Sequence, residues 1–308
     1  MARILEFTVP KELDGEKLIV FLRGHIKISA RLLPKLKNDP LGLLCNGEHI
    51  RTIDRISEGD VISIRFPEEE IAIPATDCDD LDIIYEDEDI LIINKSPYIA
   101  MHPTHNHQGD TLANKIAAYF KSKNKNAVFR AVGRLDKCTS GLVLIALNAH
   151  TANMLSEGVK KEYIAIAGGK FHGEGTINKP IVRPDPGKTY RWVGEDGEYA
   201  VTHWNALYTD GERTVLRISL ETGRTHQIRV HFASEGAPLA GDDMYGSKDF
   251  SSDRACLHCE SLTFTHPITG KPLTFSAPLP ADMKKISDKI KENIRNKEIS
   301  KRELTADK

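Results

Sequence analysis

Arg134 and Asp136 stand two apart in the stretch GRLDKCTSGLVLIALN, residues 133–148, just ahead of an apolar run. That run, Gly141 to Leu147, has the length and flanks of a buried strand. On an extended chain, residues two apart point to the same side, so both charges project together while Leu135 faces the other way. Thr139, Ser140 and Gly141 then supply a tight turn into the strand. A carboxylate held at the mouth of a core can act as a nucleophile or take up a proton. By itself the triplet describes a surface ion pair equally well, an arrangement worth little.

Two further clusters have chemical potential. His102, His105 and His107 crowd the stretch MHPTHNH, and Cys256, His258 and Cys259 crowd CLHC. Both contain zinc-ligand types. The Cys-x-x-Cys pair, however, lies inside a strand pattern and no second pair accompanies it, so no metal site is expected. Ser140 lacks the Gly-x-Ser-x-Gly surroundings of a hydrolase nucleophile. No Gly-rich loop opens a helix, so no nucleotide cofactor is expected through a P-loop or Rossmann route.

The elements that must carry these residues divide the chain. Over residues 1–66, Leu18, Phe21 and Leu22 share one helical face, and Leu32, Leu33 and Leu36 share another behind Ser29 as N-cap. Pro34 fits only in the first turns of that second helix. Two short strands follow around Asn46-Gly47 and Gly59-Asp60 turns. Arg23, Lys27, Arg31, Lys35 and Lys37 cluster on the helix pair, a solvated face or a phosphate-contacting one. Residues 67–80, acidic and with two prolines, read as a linker. From 81 to 282 hairpins predominate: 81–95, 200–221 and 256–278, with a strand at EYIAIAGG. A helix is expected with Leu112, Ile116 and Phe120 on one face, a short one at 149–161, and another over HQIRVHFASEG ending at Gly236. Residues 283–308, rich in Lys, Glu, Asp and Asn, read as a charged helix and frayed tail. This pattern predicts an α+β fold around a mixed, mostly antiparallel sheet flanked by helices.

Composition narrows the classes. The chain has 308 residues, 40% hydrophobic and 28% charged, with net charge −2 and five scattered cysteines. These values suit a soluble globular protein in a reducing cytoplasm, not a disulfide framework or a general polyanion binder. No apolar stretch approaches bilayer length, and the opening MARILEFTVPKELDGEK has no long apolar segment, so neither membrane association nor a secretory signal is expected.

Residues 81–280 resemble the RluA family of RNA pseudouridine synthases in four motifs that occur in the family's order. They are YEDEDILIINKSPYIAMHP, the R-L-D-x-x-T-S-G string at 134–141, KEYIAIAGG with Lys161, Tyr163 and Ala165, and LETGRTHQIRVHFASEGAPLAGDDMYG. Two departures are visible: Gly133 stands where His often precedes Arg-Leu-Asp, and Ser96 interrupts Lys-Pro. Residues 1–66 resemble the small alpha-L RNA-binding domain that several RNA-modifying enzymes share with a ribosomal protein.

The resemblance implies isomerisation of uridine inside RNA, ribosomal RNA first and transfer RNA second, on a pseudouridine synthase fold without cofactor or metal. It gives Asp136 the role of nucleophile or proton acceptor at the anomeric carbon. A carboxylate in a closed pocket needs a nearby cation to stay charged, and the family position for that cation is Arg229; the alternative is a core-edge salt-bridge residue. Tyr163 would stack on the uracil and move its proton; the alternative is a half-buried strand tyrosine. Arg134 would help evict the base and occupy the vacated space. Arg224, Thr139, His226 and Gln227 are assigned to the substrate side, Arg224 as a phosphate or structural contact. Leu135 is left to packing, and the loop histidines to RNA or solvent. Two rivals stand beside this reading: an RNA-binding protein without catalysis, and a zinc-dependent nucleobase hydrolase built on the histidine loop.

Overall fold

The computed structural model describes residues 3–67, 73–76, 81–104, 107–125, 128–249 and 251–306. Most of the expected linker over 67–80, and His105, lie outside them.

The N-terminal unit folds around its own core. Strands β1 (Ile4–Thr8), β2 (Leu43–Cys45), β3 (Glu48–His49) and β4 (Val61–Arg65) form an antiparallel sheet in the order β1-β4-β2-β3. Strand β1 is absent from the sequence reading. The first helix, α1 (Leu18–Val20), continues as wider π turns over Phe21–His25, and Leu18, Phe21 and Leu22 are all buried. The Ser29 hydroxyl accepts from the Leu32 N–H at 3.2 Å, which starts the turn that leads into α2 (Leu33–Asn38). Pro34 sits in the first turn of α2, where its missing N–H has no intrahelical partner to lose.

The remainder is built on a ten-stranded sheet. Its strands are β5 (Ile83–Glu86), β6 (Ile90–Lys95), β7 (Arg130–Ala131), β8 (Ser140–Ala146), β9 (Lys160–Gly168), β10 (Glu174–Asn178), β13 (Val201–Thr209), β14 (Arg213–Leu220), β15 (Leu257–Thr265) and β16 (Pro272–Ser276). A small separate ribbon pairs β11 (Ile181–Val182) with β12 (Trp192–Val193). The long path runs β10-β13-β14-β9-β15-β8-β6-β5, with β16 beside β15 and β7 beside β8. Every pairing is antiparallel except β15 with β8. The fold is therefore the α+β architecture with a mixed, mostly antiparallel sheet that the hairpin pattern predicts.

Strand β8 is buried along its whole length, which explains its unbroken apolar run. Gly141 is required where β8 begins. Its φ is +111°, and a Cβ there would lie 2.2 Å from the Cys259 carbonyl oxygen on β15.

Strand β9 divides its side chains between two layers. Tyr163, Ala165 and Ala167 join the large core with α3 (Leu112–Ser122), whereas Ile164 and Ile166 pack against Met283, Ile286 and Ile290. Those three residues form the apolar stripe of α6 (Ala281–Ala306), so the first turns of the charged C-terminal segment cover the back of the sheet. The two units touch at several points. Arg3 forks onto Asp89 at 2.9 and 3.2 Å, Phe66 stacks on His150 at 5.3 Å, and Asn153, in α4 (Ala149–Met154), donates to the Lys27 carbonyl. Among the described residues no helix is long and apolar enough to cross a membrane.

Candidate active site

A cleft of about 1020 Å³ opens between the loop that precedes β8, the end of β14 and the start of α5 (Gln227–Ser234). Arg134, Asp136, Thr139, Tyr163, Arg224, His226 and Gln227 all line it. The volume stands at the upper end of the range usual for small-ligand pockets. In the loop, Leu135 is buried in the large core while Arg134 is exposed and the Asp136 side chain is 23% exposed. Apolar burial of the middle residue thus turns both charges into the cleft.

Asp136 faces Arg229. The Arg229 Nη1 lies 3.6 Å from Asp136 Oδ2. The rest of that guanidinium is fixed from behind, with Nε and Nη2 donating to Asp242 at 2.8 and 2.7 Å. Both partners are buried, and this two-bond geometry holds the guanidinium plane. The Tyr245 ring packs 5.0 Å from Arg229 Cζ. The Tyr245 hydroxyl accepts from the Arg191 N–H at 2.9 Å and meets His226 Nδ1 at 2.8 Å. The hydroxyl proton is then the one available to Nδ1, which leaves the proton of a neutral imidazole on Nε2, 3.9 Å from Asp136 Oδ2. Burial pushes His226 below its ordinary value, so the ring is neutral at pH 7 and Arg229 is the cation that faces Asp136. His226 has left-handed backbone, φ 57° and ψ 18°, at the start of α5. Burial also pushes the Tyr245 phenol up to about 12.

Tyr163 is 6% exposed. Burial first, then the neighbouring Cys259 and Asp136, push its phenol well above the ordinary range, so it keeps its proton. Cys259 lies opposite it across β9 and β15. Two residues earlier on the same strand, Lys161 donates to the Val132 carbonyl at 2.9 Å and so ties β9 to the entrance of the Asp136 loop. Gly133 makes room for that ammonium: its φ is +79°, and a Cβ would lie 2.6 Å from Lys161 Nζ.

The other candidates occupy distinct positions. Arg224 reaches the Tyr199 carbonyl and Glu198, each at 3.1 Å, and stands at the rim. Gln227 is buried. Its oxygen accepts from Thr222 and the Arg224 N–H, and its nitrogen donates to Val201 and Thr202, so the amide holds the 222–224 turn in shape. Thr139 is buried, and its hydroxyl has no hydrogen-bond partner among the described residues. His102 and His107 line the cleft, and Lys137 meets the His107 ring at 3.0 Å. His258 bonds Ser140 and the Ala277 carbonyl, while Cys256 and Cys259 belong to different core clusters, so the CLHC residues do not converge on a common centre.

Asp242, Tyr245 and Lys95 received no role from the sequence, although each lies in a motif quoted above. Lys95 is 1% exposed and donates to the carbonyls of Ser96, Ile99 and Lys137 at 2.9, 3.0 and 3.3 Å, pinning the residue next to Asp136. Arg229 itself carried the signal for Asp242, because a buried guanidinium on an apolar helix turn demands a carboxylate.

The chain is similar to known proteins along most of its length. Residues 89–234 match the family model described as RNA pseudouridylate synthase. A Bacillus subtilis protein named uncharacterized RNA pseudouridine synthase YjbO is 39% identical over 274 residues, covering 85% of this chain and 95% of that protein. The Salmonella typhimurium protein named ribosomal large subunit pseudouridine synthase D is 34% identical over 289 residues, 88% of this chain and 84% of its own length. The solved structure of human RNA pseudouridylate synthase domain containing 1 superposes with a TM-score of 0.53 at 25% identity, over 67% of this chain and 86% of that one. A cleft that sets Asp136 against Arg229, on a fold and sequence shared this widely, means that the chain belongs to the RluA family of RNA pseudouridine synthases, which are isomerases.

Proposed function

We propose that this protein converts uridine to pseudouridine in ribosomal RNA, with Asp136, Tyr163 and Arg229 as the residues that meet the reacting nucleotide. The target base leaves its stack at a cost of about a few kcal/mol and enters the cleft. Arg134, exposed at the mouth, fills the space behind it and pairs with phosphate. The Asp136 carboxylate acts at the sugar as nucleophile or proton acceptor while the bond between C1′ and N1 breaks. The Tyr163 ring holds the uracil as it turns. The bond from C1′ to C5 then forms, the C5 proton leaves and N1 gains a proton, so atoms balance without a donor or redox partner. Arg229 supplies the positive charge opposite Asp136, and Asp242 holds it there. Thr139, His226 and Arg224 complete the substrate side, and Gln227 shapes the turn that carries Arg224.

The observation that carries this reading is the 3.6 Å approach of Arg229 to a partly exposed Asp136 in a cleft that Tyr163 also lines. Ribosomal RNA is favoured over transfer RNA by the relatives named for the large ribosomal subunit. The N-terminal unit adds a second argument. Arg23, Lys35 and Lys37 are exposed on its two helices and Lys27 and Arg31 on the connection between them, a charge pattern suited to an alpha-L RNA-binding domain. The Lys27 carbonyl bonds Asn153, and the chain just beyond, Leu155–Val159, lines the cleft. Chemical mapping of pseudouridines in total RNA tests the proposal. A large-subunit ribosomal site should vanish in cells lacking the protein and return with the wild type but not with Asp136→Asn. Loss confined to transfer RNA would overturn the choice of substrate.

A further inference from the structure

A buried arginine outside the reacting centre grips the Asp136 loop from behind. The Arg254 side chain is 1% exposed. Its Nη1 donates to the Cys138 carbonyl at 3.0 Å and to the Ala255 and Leu257 carbonyls at 3.2 Å. Its other edge, Nε and Nη2, donates to Asp282 at 2.7 and 3.1 Å. Asp282 lies in the first turn of α6 and also accepts from the Met283 N–H at 2.8 Å. A continuous path therefore runs from the carbonyl two residues beyond Asp136, through one rigid guanidinium, to the C-terminal helix. Both Arg254 and Asp282 lie outside residues 89–234, the part that matches the family model.

The geometry of a guanidinium makes this path directional. Its five N–H groups form a fixed planar fork, so a carboxylate that binds one edge sets where the other edge points. Asp282 thus determines where Arg254 holds the Cys138 carbonyl, and that carbonyl determines how far Asp136 stands from Arg229. We propose that Arg254 and Asp282 are positioning residues for the isomerisation, and that the first turn of α6 is part of the catalytic apparatus through them. The proposal rests on Asp136 being the reacting carboxylate. The remaining anchors of the loop, Lys95 on Lys137, Lys161 on Val132 and Ser140 on His258, make no hydrogen bond to this pair, so breaking it shifts the loop without removing its attachments.

The test uses the full-length protein with a ribosomal RNA substrate and separates chemistry from binding. Single-turnover rates at saturating RNA, RNA affinity and thermal midpoints are measured for the wild type, Arg254→Lys, Asp282→Asn, Asn293→Ala and Asp136→Asn. A misplacement of about 1 Å costs up to about 100-fold in rate, so Asp282→Asn and Arg254→Lys should slow the chemical step by roughly 10- to 100-fold with RNA affinity unchanged. Asn293→Ala removes the 2.9 Å bond from α6 to Asp210 without touching Arg254, and should lower the midpoint while the rate stays at the wild-type value. The Asp282 side chain is 40% exposed, so Asp282→Asn carries the test if Arg254→Lys does not fold. Equal slowing by Asn293→Ala, or a wild-type rate in folded Asp282→Asn, would make the pair merely structural and overturn the proposal. Full activity in Asp136→Asn would instead overturn the functional reading beneath it.

Discussion

Replacing Arg229 with Met would remove the cation shared by Asp242 and Asp136 while keeping most of the side chain's bulk. The two carboxylates would respond differently. The Asp242 side chain is 0% exposed and receives both short bonds, so it would be left as an uncompensated buried charge. Breaking such a pair from one side costs about 3–5 kcal/mol. In a folding unit of roughly 150–250 residues, each kcal/mol moves the thermal midpoint by about 2–4 °C, so the midpoint should fall by roughly 6–20 °C. Asp136 would lose a charge 3.6 Å away. At an effective dielectric near 20 that attraction is about 4–5 kcal/mol, and solvent at the partly exposed carboxylate reduces it. If about 2 kcal/mol survives, the charged, facing arrangement is lost by roughly 30-fold, with a matching drop in rate. Arg229→Met combined with Asp242→Leu separates the two effects. Exchange of a buried ion pair for apolar residues of similar size is close to neutral, so the double variant should regain the midpoint. It should not regain activity, because Asp136 still lacks its cation. Thermal denaturation and single-turnover pseudouridine formation are the assays. Recovery of activity together with stability would refute the reasoning, since Arg229 would then serve only to neutralise Asp242.

Burial pushes the Lys95 ammonium down from 10.5 to about 8. Between those values the unfolded chain binds more protons than the folded one, so this group makes stability rise with pH across that window. The neutral amine holds the Lys137 carbonyl less firmly, so turnover should fall as stability rises. Urea titrations and rates at pH 7.5 and 9.5 should show both trends, and Lys95→Met should remove them; identical pH dependence in the variant would contradict this. Gly133→Ala forces a left-handed backbone on Ala, worth about 1–2 kcal/mol, and pushes Lys161 off the Val132 carbonyl. A reduced denaturation midpoint and slower turnover should result, and an unchanged midpoint would count against the packing described. Thr139→Val removes a buried hydroxyl without a partner among the described residues. Stability should hold or rise by about 1 kcal/mol while turnover slows, and a clear loss of stability would mean that the hydroxyl is bonded after all.

What the sequence reveals of this molecule follows from which contacts leave a local mark. The buried run of β8, the hairpin of β13 and β14, and the helix that carries Arg229 each have a period or turn residues that announce them. The α6 helix is announced by its composition but its buried face is not, because Met283, Ile286 and Ile290 form a narrow stripe amid Lys, Glu and Asp. Strand β15 reads as one arm of a late hairpin, yet its decisive neighbours are β9 and β8. The contact of Ser140 with His258 joins residues 118 apart, and no local pattern records it. The same holds for the site. Asp136, Tyr163 and Arg229 sit in recognisable strings; the fold brings the first two to one cleft and sets Arg229, buried behind it, 3.6 Å from Asp136. Lys95 and Arg254 act on backbone carbonyls of a loop distant in sequence, and a carbonyl has no residue type to pair with in a pattern. Gln227 illustrates the converse. It belongs to a motif, yet its amide is fully engaged by the protein.

The central claim is that the Asp136 carboxylate performs the chemistry on a uridine already bound. The most direct measurement incubates purified protein with unmodified large-subunit ribosomal RNA in excess of the wild type and of Asp136→Asn, and quantifies both pseudouridine and bound RNA. The wild type should form pseudouridine, and Asp136→Asn should bind the RNA with the same affinity and form none. Pseudouridine appearing at the wild-type rate with Asp136→Asn would contradict the account.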